Sequence, residues 1–192
     1  MPIFIIFIIF IIVIILIFSS KKFSPIPYFP SNKKDLPLII KALNLKNNQT
    51  ALDLGAGDGI VIFEAAKVAE KRKLNTKFVA VEINPVLILI LHLRHLFHIN
   101  KNNIKIIYGD IFTMDFSPLT PNSYLSAEAS AKAGFLTFYL YISPWYLEKT
   151  ILNIKDQISK FSVISYMYPI KSLTKKSKEI IQGKNRIFVY NN

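Results

Sequence analysis

The sequence contains no cysteine. That absence excludes a disulfide framework, a thiolate nucleophile and any zinc site built on cysteine. Acidic residues are also scarce, with 12 Asp and Glu against 24 Lys and Arg for a formal net charge of +12. None of that charge falls in the first twenty residues, so the remainder of the chain is basic. A basic surface suits anionic lipid head groups or nucleic acid. The lysines, however, are scattered through loop-like stretches with no stripe of interleaved aromatics, as drift toward Ile, Lys, Asn and Phe would leave them. Nucleic acid is therefore not an expected partner. Glycine is sparse as well, yet three of the 6 glycines lie within positions 55–59. The 192 residues suffice for one domain with a real core and leave no room for a second of full size.

What is present begins with an apolar run. Every residue from Ile3 to Phe18 is apolar, and residues 1–20 as one helix span about 30 Å, the thickness of a bilayer core. The run lacks the positive start and small-residue cleavage site of a signal peptide, so it reads as a retained single-pass anchor in contact with membrane lipid. Lys21 and Lys22 follow it and no positive charge precedes it, which places the C-terminal part in the cytoplasm. Residues 21–34, KKFSPIPYFPSNKK, hold three prolines and two lysine pairs and read as an extended tether. The domain then occupies 35–192, opening on a short amphipathic helix with Asp35 as its candidate N-cap.

From residue 50, strand and helix patterns alternate. TALDL, KFVAVE and IKIIYGD read as strands, separated by helices over IVIFEAAKVAEKRK and PVLILILHLRHLFHI, the latter with Pro85 at its first position. The pattern predicts an α/β fold: a Rossmann-like, mostly parallel sheet with helices on both faces and ligand at the carboxyl ends of the strands. Later segments supply a strand over 134–142, a helix from Ser143 to Lys160, and strands over FSVISYMYP and RIFVY. A further helix fits 122–134. The count of convincing strands predicts fewer than seven.

LDLGAGDG is the centre of the functional reading. A pyrophosphate cradle uses glycines to present backbone N–H groups, and an anion beside it is unfavourable. Here Asp58 lies inside the loop, and the spacing is GxGxG and not GxGxxG. A ligand with an amino acid and a sulfonium in place of phosphates removes the conflict. Glu82 and Asp110 end the next two strands, where carboxylates accept ribose hydroxyls and an adenine amino group. Three acids, Asp53, Glu82 and Asp110, thus close three successive strands around one glycine loop.

On LDLGAGDG, VAVEINP and IIYGDIF the chain resembles the class I S-adenosylmethionine-dependent methyltransferases. More narrowly, the anchor, PYFPS at 27–31, EINP at 82–85 and YLYISPWYLEKTILNIKDQ at 139–157 resemble the membrane-associated lysine methyltransferases of adenine nucleotide translocase and ATP synthase subunit c, with their prokaryotic relatives. The likeness covers residues 26–191. It implies S-adenosylmethionine as cofactor, held by Asp53, Gly55, Ala56, Gly57, Asp58, Gly59, Glu82, Asn84, Asp110 and Ile111. It further implies a substrate channel walled by Tyr28, Phe29 and Pro30, with Ser143 and Pro144 matching in part a [DNS]PP[YFW] loop; a plain helix start with Ser143 as N-cap is the competing reading. The family usually has an arginine where Ile60 stands, and an insertion follows Asp110. The expected acceptor is a protein lysine. A membrane-soluble small molecule is the alternative within the class, and a non-catalytic adenosine-binding module the alternative outside it. His92, His95 and His98 diverge around their helix with no acid to join them, so no metal site is expected. No side chain stands out as a catalytic base.

Overall fold

The computed structural model describes residues 2–119, 135–173 and 178–191. Its sheet is built from β1 (Thr50–Leu54), β2 (Lys77–Glu82), β3 (Ile104–Tyr108), β4 (Leu136–Leu140), β5 (Phe161–Tyr166), β6 (Lys178–Gln182) and β7 (Arg186–Asn191). The order is β3-β2-β1-β4-β5-β7-β6. The first five strands are parallel, and β7 runs antiparallel to both of its neighbours. Seven strands correct the expected reduced count. The missed strand is β6, KEIIQ, which lies at the sheet edge, where Ile180 stays exposed. An edge strand need not carry the continuous apolar run by which buried strands are recognised.

The helices are α1 (Pro2–Ser19), α2 (Leu36–Leu43), α3 (Ile60–Lys71), α4 (Pro85–Leu96) and α5 (Pro144–Gln157), the last ending short of Lys160. Alternation along the strands feeds two cores. Ala51, Phe78, Ala80, Tyr139 and Ile164 face α2, α3 and the buried side of α4, whereas Leu52, Val79, Phe138 and Val163 face α5. Helices therefore cover both faces, as a parallel sheet requires. Chain order reverses between β1 and β4, and this switch point opens a crevice at the carboxyl ends of the strands. The helix expected over 122–134 lies outside the described residues.

Asp35 occupies the N-cap position of α2 without capping it through its side chain. Its buried carboxylate instead crosses to the β6–β7 turn, accepting from Lys184 N, Asn185 N at 2.9 Å and Asn185 Nδ2, and from the Tyr166 hydroxyl at 2.7 Å. Burial pushes this carboxyl up, but the four hydrogen bonds outweigh it and hold the group below the usual carboxylate range. Asp35 thereby locks the last hairpin to the first helix of the domain. α1 stands apart: none of its residues is buried, it touches α4, and it is long and apolar enough to cross a membrane.

Replacing Asp35 with Ala is expected to lower stability by about 2–4 kcal/mol at pH 7, because it strands several donors. Since the folded-state pKa is depressed, the difference from wild type should shrink as pH falls through the carboxylate range. Denaturant melts at pH 7 and pH 4 check both statements.

Candidate active site

The acids at the strand ends converge because their strands are adjacent and in register. Asp53 on β1 pairs in register with Ala80 on β2, and Glu82 on β2 with Tyr108 on β3. The chain leaves β1 through the glycine loop, where Gly55, Gly57 and Gly59 all have positive φ. At Gly57 a side chain would also collide with the Tyr28 ring, 2.6 Å from the position of a Cβ. Gly59 stands at the N-cap of α3, packed against Leu91 and Phe63.

Four of the loop's N–H groups are already engaged. Gly55 N and Ala56 N both donate to the Val81 carbonyl at 2.9 Å, Gly57 N donates to Glu82 Oε2 at 2.8 Å, and Gly59 N donates to the Ala56 carbonyl. A phosphate cradle would need those donors free. Glu82 also accepts from Ile83 N and Asn84 N through Oε1, so one carboxylate joins the glycine loop to the turn after β2. Asn84 then caps α4, its Oδ1 accepting from Val86 N at 2.9 Å and Leu87 N, while its buried Nδ2 has no partner among the described residues.

Asp58, inside the loop, is tied to two other segments. Its Oδ1 accepts weakly from Ile60 N at 3.2 Å, but its Oδ2 pairs with Arg94 Nη1 at 2.8 Å and the Tyr28 hydroxyl donates to it. Burial, reinforced by the Asp58 carboxylate, pushes Tyr28 up to about 12, which keeps it a donor at neutral pH. Arg94 was not foreseen. Its signal is visible in retrospect as the one Lys or Arg within the helical run PVLILILHLRHL.

A solvent-open cavity lies above these groups. Asp53, Gly55, Ala56, Gly57, Asp58, Glu82, Asp110 and Ile111 line it, and so do Tyr28, Phe29 and Pro30 from the Pro-rich segment that the resemblance placed along the substrate channel. Gly59 and Asn84 lie outside the wall and support it from behind. Ser143 and Pro144 do not line it either; they begin α5 at its N-cap and first position, with no side-chain cap bond. Tyr139 and Tyr141, not singled out from the sequence, also contribute, and the Tyr139 and Ser31 hydroxyls are 2.8 Å apart. His95 and His98 are spent on the separate carbonyls of Lys101 and Phe63.

Asp53 is the electrostatic anomaly. It is buried, accepts no hydrogen bond from a described residue, and has Glu82 and Asp58 as charged neighbours. Burial first, then repulsion from those carboxylates, pushes it up to about 8. The cavity floor thus has an uncompensated demand for positive charge.

A family model described as ribosomal RNA adenine dimethylase matches residues 21–168. The chain belongs to that family. It is a class I S-adenosylmethionine-dependent methyltransferase, and its sheet agrees. Among solved structures it is similar to an RNA methyltransferase from Salinibacter ruber in complex with S-adenosyl-L-homocysteine, at TM-score 0.64 and 19% identity over 85% of this chain and 93% of that one. It is also similar to a precorrin-6y C5,15-methyltransferase from Geobacter metallireducens, at TM-score 0.56 and 15% identity over 90% of each chain. At such identities the likeness is one of fold. No curated protein sequence matches the chain. The narrower resemblance to lysine methyltransferases is not carried by these matches, and the family name runs against the expectation that nucleic acid is no partner. Scatter of lysines along a sequence, on which that expectation rested, says little about where they gather in space.

The residues present fit S-adenosylmethionine. Its cationic groups answer the charge deficit at Asp53, which a pyrophosphate would deepen. A cation beside Asp53 favours the ionised carboxylate, so binding should release a proton. Affinity is then expected to rise by up to about tenfold per pH unit toward pH ~8 and to level off above it. Calorimetry in buffers of different protonation enthalpy tests this, and Asp53→Asn should abolish the slope. Arg94→Ala, which removes the bonds holding Asp58 and its carbonyl to α4 and so loosens the cofactor loop, is expected to weaken cofactor binding about tenfold, a loss typical of one charge-assisted hydrogen bond.

Proposed function

We propose that this methyltransferase is anchored in a membrane by α1 and methylates the ε-amino group of a lysine on a membrane protein. The observation that carries the reading is the path from α1 to the cavity. α1 ends at Ser19, and Pro25 is already part of the cavity wall. The five steps from Ser20 to Pro25 reach at most ~18 Å. An active site so tethered works on acceptors at the membrane surface, and Lys21 and Lys22 favour the cytoplasmic side.

Bound S-adenosylmethionine supplies a methyl group on a sulfonium, and the protein's task is to position the acceptor for in-line attack and exclude water. Asp53 would face the ammonium or sulfonium charge. Glu82 Oε2, which accepts a single protein N–H, keeps capacity for a ribose hydroxyl. Asp110, whose Oδ1 accepts only from Phe112 N, would meet the adenine amino group. Ile83 and Ile111 would give the base its apolar walls.

Tyr28, Phe29, Phe112 and Tyr141 are among the aromatic residues that line the cavity. Aromatic faces attract ammonium groups, and Lys149 Nζ already lies 4.7 Å from the Phe112 ring centroid. A lysine brought against these rings loses its proton more readily through burial beside a cation. The second reading is an RNA adenine amino group, favoured by the family match and the net charge of +12.

Native membranes and ribosomal RNA, incubated together with the full chain and methyl-labelled S-adenosylmethionine, distinguish the acceptors. The expected result is label recovered as methyl-lysine from a membrane protein and lost with Glu82→Ala. Label in RNA adenine would establish the second reading, and label in extracted lipid would refute both.

A further inference from the structure

α4 is half of a buried helix. Leu87 and Leu91 enter the core, but the opposite side carries Leu89, Leu93, Leu96 and Phe97, followed by Ile99, each between 52% and 88% exposed. Positions 89, 93, 96 and 97 recur at helical spacing and form one stripe. A soluble surface rarely leaves so many large apolar side chains together in water.

Two further observations say what covers the stripe. First, α1, itself unburied and long enough to cross a membrane, touches α4. Second, the segments that carry both helices contain no acidic residue. None of the 12 acidic residues falls within 1–34 or 83–109, although these segments carry Lys21, Lys22, Lys33, Lys34, Arg94, Lys101 and Lys105. An apolar stripe in an acid-free segment, with Lys101 and Lys105 following it in the chain and a membrane-length helix beside it, complements an anionic lipid surface.

We infer that the outer face of α4 lies in the interfacial layer of an anionic bilayer, giving the domain a second membrane contact besides α1. The contact fixes how the domain sits as well as where it is attached. Arg94, on the inner side of the same helix, holds Asp58 in the cofactor loop, so the membrane-facing element is also a wall support of the site. The inference rests on the anchor reading, and its test separates the two.

Because the chain has no cysteine, single cysteines can be introduced into the otherwise unchanged full-length protein. Ile9→Cys reports on α1, Leu93→Cys and Phe97→Cys on the stripe, and exposed Lys160→Cys, beyond α5 on the other face of the sheet, serves as control. Each is labelled with a polarity-sensitive fluorophore and reconstituted in phosphatidylcholine/phosphatidylglycerol vesicles. Supporting the inference, labels at 9, 93 and 97 would be blue-shifted and quenched by a lipid-borne quencher at least severalfold more than the label at 160, which a soluble quencher reaches. Lipid quenching at 9 with only soluble quenching at 93 and 97 would overturn the α4 contact and leave the anchor standing. Soluble quenching at 9 would overturn both. Labels at 93 and 97 shielded from both quenchers, with energy transfer between copies, would mean that a second chain covers the stripe and would likewise reject it.

Discussion

The carboxylate of Glu82 accepts three backbone N–H groups, from Gly57, Ile83 and Asn84, and the geometry of the whole site depends on that arrangement. Placed at the end of β2 by the sheet, it pulls the glycine loop of the neighbouring strand toward the turn that begins α4. Asn84 then sets the first turn of α4, and that helix brings Arg94 back to Asp58 in the same loop. Loop, turn and helix are closed into a ring of hydrogen bonds around one acid. Charge-assisted bonds of this kind are the stronger ones, and here they are also what leaves the loop with few free donors.

The consequence is chemical selectivity. A glycine loop is usually read as an anion cradle, but donors already committed to Val81 and Glu82 leave little to offer a phosphate. Three carboxylates converge instead, with Arg94 compensating only Asp58. Asp53 stays buried and without a hydrogen-bond partner among the described residues, and its raised affinity for a proton records the deficit. A site in this condition is completed by a cation, as S-adenosylmethionine is at its amino and sulfonium groups.

The N-terminal segment is integrated into the site and does not trail from it. Tyr28 covers Gly57 and reaches Asp58, Ser31 meets Tyr139, and Asp35 reaches the β6–β7 turn. These contacts join residues more than a hundred positions apart in two of the three cases. They hold residues 28–35 against the domain, so that only a short stretch separates the cavity from the end of α1 at Ser19.

Much of this was legible in the sequence. β1 and β2 appear within the expected spans, because strands buried on both faces leave continuous apolar runs, and the three strand-ending acids with the glycine loop identified the cofactor. β6 was not legible, since an edge strand buries little and KEIIQ carries no strong pattern. The sequence by itself determined an α/β sheet, an apolar N-terminal helix and a cofactor of cationic character, since all three follow from local periodicity and the order of charges. Only the tertiary structure decided that Asp58 pairs with Arg94, that Asp35 ties a hairpin where a helix cap was expected, and that the Ser31 hydroxyl meets Tyr139. Those contacts join distant segments, and no local pattern specifies which donor will meet which acceptor once the chain has packed.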